Sequence, residues 1–290
     1  MIKSIRFGLA VAVLASASIA SASAHAQVTF ADLGKNLEYT QTSAAGAVAA
    51  VNGGDNAFFF GRVFYASGAF DGGSLSYNST TLPFNGFAYD CCGSTGGQYQ
   101  TGYMSKADMD AMFPTSTVYT LTATDSTSAN PDNAVNVLLP DDLYADISTP
   151  TFNASSFTAL NSLTAGQGVT IDTGVFTPDA GAGGQNFLSI FDLTGGSTVY
   201  SDFGDNTRSA WAVGSGIFQS GHQYEAQLIF DSFVSGADNG VPTTGRNDLR
   251  TDLFFTVGAP TPEPGVWALM ILGLGLTGAM LRRRQAAAAV

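Results

Sequence analysis

Tyr224-Glu225-Ala226-Gln227-Leu228-Ile229-Phe230 and Leu249-Arg250-Thr251-Asp252-Leu253-Phe254-Phe255-Thr256-Val257 decide the fold class. In the first stretch, Tyr224, Ala226, Leu228 and Phe230 alternate with Glu225, Gln227 and Ile229. In the second, Leu249, Leu253, Phe255 and Val257 fall on one side and Arg250, Asp252 and Thr256 on the other. Alternation with period two sends successive side chains to opposite faces of an extended chain, which reads as antiparallel strands with one wet face.

Outward from these, short apolar or β-branched runs recur between clusters of Gly, Ser, Asn and Asp. Candidate strands are Val28–Leu33, Leu37–Thr42, Ala47–Val51, Ala57–Tyr65, Ser74–Asn78, Thr117–Thr124 and Ala134–Leu139. Later ones are Val169–Phe176, Phe187–Leu193, Thr198–Phe203, Ala210–Phe218, Tyr224–Val234 and Leu249–Val257. Asn52-Gly53-Gly54 is a turn between two of them. Ser105, followed by Asp108 and a run to Phe113 that Pro114 stops, predicts one short capped helix. A second helical turn is expected over Asp141–Ile147, and the polar run Asp125–Asn133 reads as a surface loop rather than a domain boundary. No body stretch of ten residues or more has a helical period, and no repeat recurs at fixed spacing. The expectation is an all-β protein, an antiparallel two-sheet β-sandwich, jelly-roll-like, with one or two short helices.

Composition narrows the function classes. Residues 27–260 form one body with six basic and 22 acidic side chains, a formal charge of −16. That balance disfavours nucleic acid and anionic membrane as partners. Of the body's acids only Glu38 and Glu225 are Glu, and the excess of Asp suits loops and turns over helices. The only cysteines, Cys91 and Cys92, are adjacent; they are candidates for a vicinal disulfide and cannot staple distant segments.

Both ends read as addresses. Lys3 and Arg6, the apolar run Phe7–Ala15 and the small pair Ala24 and Ala26 compose a signal peptide over residues 1–26, with signal peptidase as the first partner. Residues 261–290 contain Pro262-Glu263-Pro264, an uncharged run from Val266 to Leu281 and the cluster Arg282-Arg283-Arg284. The 16-residue run would span roughly 24 Å as a helix, and the arginines place it with the body outside. With Trp267 three residues past the tripeptide, and Gly273, Gly275 and Gly278 in the run, this tail resembles the PEP-CTERM protein-sorting signal of Gram-negative bacteria. The resemblance covers only these thirty residues. It implies recognition by exosortase, a membrane transpeptidase that cleaves at the tail, transient membrane anchoring, then release to the cell surface or outside. It also implies a setting of exopolysaccharide or biofilm. The same glycines formally match a dinucleotide fingerprint, which fails because no acid follows Gly278.

The body offers no catalytic constellation. Its one histidine, His222, has no Gly-x-Ser-x-Gly elbow to serve, so the chain is expected to be non-enzymatic. No cofactor is expected beyond Ca²⁺, for which Asp202, Asp205, Asn206 and Asp238, with Asn239, Asp141, Asp142 and Asp146, are oxygen-bearing candidates. Tyr99, Tyr103 and Trp211 are candidate stacking platforms for sugar rings. The expected function is an exported surface or matrix protein that contacts extracellular polysaccharide. The alternatives are a carbohydrate-binding or carbohydrate-hydrolysing jelly roll using two Asp residues, and an ice- or surface-binding module built on the alternating Thr120, Thr122 and Thr124. Converging carboxylates in a cleft would favour the hydrolase, and a flat Thr array on several strands would favour ice.

Overall fold

A computed structural model describes residues 27–259 except 66–68, 89–94, 128, 142–147 and 179. The signal peptide, the sorting tail, Cys91, Cys92, Asp142, Asp146 and the expected turn at 142–147 lie outside the described residues.

The chain is mostly β. Its strands are β1 (Val28–Gln41), β2 (Val48–Ala50), β3 (Ala57–Tyr65), β4 (Gly72–Tyr77), β5 (Thr80–Pro83), β6 (Gly86–Ala88), β7 (Thr95–Gln100), β8 (Thr117–Thr124) and β9 (Asn133–Leu139). They continue with β10 (Val169–Asp172), β11 (Gly183–Asp192), β12 (Ser197–Asp205), β13 (Ala210–Val213), β14 (Gln223–Asp238) and β15 (Val241–Thr256). The short helices α1 (Lys106–Met112) and α2 (Ala154–Asn161) complete the set. α1 begins as expected, with the Ser105 hydroxyl accepting from the Asp108 amide at 3.1 Å.

The main sheet runs β12-β11-β14-β15-β1-β3-β7-β6, with β2 added beside β1; a four-stranded sheet runs β5-β4-β8-β9, and β10 pairs with β13. The four-stranded sheet lies face-on against β1 and β3. Leu75, Tyr119 and Leu121 from one layer and Leu33, Phe59 and Val63 from the other belong to one buried core. Gly61 permits the approach, since a Cβ there would stand 2.6 Å from Leu75 Cδ1. Trp211, Ile171 and Leu160 fill the core further along, under β11, β14 and β15. This layering is that of a β-sandwich.

Three differences from the sequence reading have physical causes. First, the sheets are antiparallel except at their centre, where β1 and β15 pair in parallel from Ala31↔Thr243 to Thr40↔Asp252. Second, Val28–Leu33 and Leu37–Thr42 are one strand, because the polar break between them is buried and paired: Lys35 reaches Asp110 of α1 at 2.6 Å. Third, Asn78-Ser79 is a two-residue hairpin turn with positive φ at both residues, and it opens β5, which lay outside the expected strands. Asn239-Gly240 turns in the same way between the two longest strands, as a mirror-image turn requires. The Asp125–Asn133 run is a loop: the Asp125 carboxylate accepts from the amides of Thr127 and Asn130, closing the connection from β8 to β9.

Candidate functional site

The core takes one face of β11, β14, β15, β1 and β3. The other face carries the polar halves of the alternating strands, and it is not a wet face. Its register places Gln185, Asp231, Asp248, Asn36 and Phe58 side by side across five strands, through Gln185↔Asp231, Asp231↔Asp248, Asn36↔Asp248 and Asn36↔Phe58. The next row holds Arg246, Gly34, Phe60 and Gln100, and the one beyond it Asp32, Arg62 and Gln98.

These rows floor a cleft of about 840 Å³, walled by Phe30, Phe58, Phe60, Phe187, Phe203 and Ile229. Phe203 of β12 and Gln98 of β7 line the same space, although five strands stand between theirs. In a flat sheet those edges would be roughly 29 Å apart at ~4.8 Å per strand. The sheet is therefore curled, and the cleft is its concave face. Curling also explains the burial, for the floor residues are shielded by their own sheet.

Ion pairs knit the floor. Arg62 forks onto Asp32, its Nε donating to Oδ1 at 2.9 Å. Arg246 faces three carboxylates: Nη2 is 3.1 Å from Asp32, Nη1 3.5 Å from Asp231 and Nε 3.8 Å from Asp248. Gln185 Nε2 donates to Asp231 Oδ2 at 2.8 Å. Both guanidiniums lie over the Phe60 ring, at 4.4 and 5.1 Å. Gly34 makes room, because a Cβ there would sit 2.7 Å from the Arg246 carbonyl oxygen and 3.0 Å from the Phe60 ring.

The floor is not self-sufficient. Asp231 is 3% exposed, and Asp248 and Asn36 are each 6% exposed. Yet with both carboxyls ionised Asn36 Oδ1, Asp231 Oδ1, Asp248 Oδ1 and Arg246 Nε have no hydrogen-bond partner, and only a proton on Asp231 would join it to Asp248. Leaving a buried polar atom without a partner costs about 1–3 kcal/mol, more for a charged group, and four such atoms fall in this one cleft. Burial first, then the neighbouring Asp248, push the Asp231 carboxyl well above the usual carboxylate range, against the pull of Arg246.

A second cluster continues the same face. Arg250 donates to Glu38 at 2.9 Å, Glu225 at 2.8 Å and Asp252 at 2.7 Å. Burial pushes Asp252 up to about 7, with Arg250 opposing and Glu225 and Glu38 adding to it. Tyr103 donates its hydroxyl to Glu38 and sets its ring edge-on to Phe58 at 5.6 Å. Half of the body's six basic residues, Arg62, Arg246 and Arg250, thus converge on one face of an acidic protein.

The residues singled out from sequence lie mostly elsewhere. Tyr103, 48% exposed, stands beside the cleft wall. Trp211 is fully buried on the core side of β13, under Arg208 at 3.9 Å, so it offers no ring to a sugar; Tyr99 is also turned to the core, against Phe113. Asp202 is held by Arg208 at 2.6 Å, Asp205 accepts from the Thr207 amide, and Asn206 donates to the Phe176 carbonyl. Asp238 accepts from the Asn136 amide at the far end of the β14–β15 hairpin, apart from these three. Among the described residues no group of three His, Cys, Asp or Glu side chains is placed to hold a metal ion. His222 does find a carboxylate, Asp192 Oδ2 at 2.8 Å, while Asp192 Oδ1 takes the Thr194 and Gly195 amides and shapes a turn. Thr120, Thr122 and Thr124 share the outer face of β8, where their cross-strand neighbours include Ser76, Asn136, Ser74, Ala134 and Gly72.

Alternation assigns the cleft residues only to the wet face of their strands and does not single them out. One signal was present: Arg246, Asp248, Arg250 and Asp252 alternate in sign along one face of a strand.

No protein-family model matches the chain, and no curated protein matches its sequence. Among solved structures, the chain is similar to the chicken CNTN1 FN1–FN3 domains at 9% identity and a TM-score of 0.23, covering 68% of this chain and 62% of that one. It is also similar to the BSP domain of a biofilm-associated protein at 8% identity and a TM-score of 0.20, covering 70% and 28%. The chain thus spans less than two thirds of either, and likeness at this level bears on neither its function nor its finer topology. Among the described residues no helix is long and apolar enough to cross a membrane.

Proposed function

We propose that this chain is an exported surface or matrix protein, sorted by its tail, whose body binds polysaccharide in the concave face of its main sheet. The observation that carries the reading is the cleft itself: aromatic walls around a buried floor whose acceptors and one donor lack partners. Sugars present apolar C–H faces to rings and hydroxyls that both donate and accept, which is the complement of such a floor. A jelly-roll-like sandwich with one concave layer suits that role, and binding rather than chemistry is the proposed activity. The tail supplies the address, with signal peptidase and an exosortase-type transpeptidase as processing partners.

Two experiments test this. The full-length chain, kept in a polyoxyethylene detergent that carries no sugar headgroup, should bind oligosaccharides on a glycan array, and Phe187→Ala with Phe203→Ala should abolish the signal; an array with no bound glycan refutes the reading. Replacing Pro262, Glu263 and Pro264 by alanine should leave the tail uncleaved in the host, and normal processing of that variant sinks the sorting half.

One observation favours a hydrolase as the second reading: Asp231 and Asp248 are two carboxyls in one cleft, and burial raises that of Asp231. Glycoside hydrolysis needs the two groups to flank the scissile bond. Here they rise side by side from one floor and lean on one guanidinium, which is why binding is preferred. Release of reducing ends from any bound glycan, lost in Asp248→Asn, would reverse that preference.

A further inference from the structure

The floor of the cleft is asymmetric in a way that selects among sugars. Of its four unpartnered atoms three are oxygens, on Asn36, Asp231 and Asp248, and they are neighbours in one cross-strand row. With every carboxyl ionised the floor has Asp32, Asp231 and Asp248 against Arg62 and Arg246, an excess of one negative charge, which a proton on Asp231 cancels. Arg62 and Arg246 are already engaged by carboxylates, and Arg246 Nε is the one donor left over. Phenylalanine rings surround the row, and their faces favour a cation.

Resting on the saccharide reading above, we infer that the cleft is built for a sugar bearing a free amino group, with its ammonium seated on Asn36, Asp231 and Asp248. An ammonium has three N–H donors and no acceptor, matching three adjacent oxygens. A hydroxyl or ring oxygen of the same sugar meets Arg246 Nε. An N-acetylated amine brings one N–H, no charge and added bulk, so it leaves two of the three oxygens unpaired.

The ammonium takes the place of a proton. Around the cleft floor Asp231 has Asp248 and Arg246 from β15, Asp32 from β1, Arg62 from β3 and the neutral Gln185 from β11, and burial with the adjacent Asp248 raises its carboxyl, so that it takes up a proton more readily than an ordinary Asp. Seating a positive charge beside the pair lowers the cost of the second carboxylate, so the proton leaves to solvent as the amine binds. Uptake of the amine and release of the proton are one linked equilibrium.

Calorimetry on the full-length chain, at a pH low enough for the sugar amines to be fully protonated before binding, with glucosamine, N-acetylglucosamine and glucose oligomers of equal length, tests this. The glucosamine oligomer should bind about tenfold or more tightly than either neutral one, about 1.4 kcal/mol. Its binding heat should vary with the ionisation enthalpy of the buffer in the direction of proton release. Asp231→Asn should lose the buffer dependence, and Asn36→Leu should lose the amine preference; both should keep the far-ultraviolet circular dichroism of the parent. Equal binding of all three oligomers overturns the amine inference and leaves the saccharide reading standing. Amine-selective binding without any buffer dependence overturns the proton exchange. If no oligomer binds, the saccharide reading falls and takes this inference with it.

Discussion

Lys35 shows how a charge can occupy a core position. It is 1% exposed on the core-facing side of β1, and its Nζ donates to Asp110 at 2.6 Å; Asp110 also takes Lys106 at the same distance. The two partners are not equivalent, because Asp110 keeps about a third of its surface in water. Removing the carboxylate strands a buried ammonium, whereas removing the ammonium leaves a half-wet carboxylate with a second lysine. Asp110→Ala should therefore cost about 3 kcal/mol, and Lys35→Met should be close to neutral, both read from urea unfolding followed by circular dichroism. Equal losses for the two would show that the buried ion pair is itself net stabilising, since methionine keeps the packing of the stem.

At the scale of elements, the β14–β15 hairpin sets the geometry of the cleft. Asn239 and Gly240 both have positive φ, 50° and 85°, and the pairing runs without a slip from Asp238↔Val241 to Gln223↔Thr256. A left-handed conformation costs a residue with a Cβ about 1–2 kcal/mol. Gly240→Ala should lower unfolding free energy by about 1 kcal/mol, while Asn239→Gly should change it little; comparable losses would mean the turn is not what holds the register. Counting pairs back from Asn239-Gly240 puts Asp231 opposite Asp248, so half of the acid pair's placement was legible once that dipeptide is read as a turn. Asn36 was not, because it joins the row only through the parallel pairing of β1 with β15, across more than two hundred residues and with no local signature. β3 and β8 match their expected limits, and the two expected strands over Val28–Thr42 join into β1 because Lys35 between them is buried and paired. The cleft stayed hidden for the same reason: alternation assigns residues to faces, but curvature decides whether the polar face is wet.

For the whole molecule, buried acids make stability depend on pH from two sides. Asp252, at about 7 when folded against 3.8 ordinarily, and Asp231, also raised, bind more protons in the fold than in the unfolded chain. Their contribution is full below about pH 4 and declines as pH rises toward 7. Asp110, Asp125, Asp192 and Asp202 are lowered in the fold, chiefly through hydrogen bonds to donors that outweigh burial where burial opposes them. Their contribution is full above about pH 4 and is lost on further acidification. The unfolding temperature of the unliganded chain should therefore peak near pH 4, fall gradually to pH 7 and then level off, with Asp252→Asn flattening the fall. A profile flat between 4 and 7 would mean that solvent reaches these carboxyls.

The parallel pair at the sheet centre bears on time as well as space. The strand that opens the described fold has as its neighbour the strand that closes it, so the middle of the main sheet and the floor of the cleft stay unmade until residues 241–256 have been delivered. Before that, β12-β11-β14 and β1-β3-β7-β6 are two separate half-sheets, and β15 is the strand that joins them.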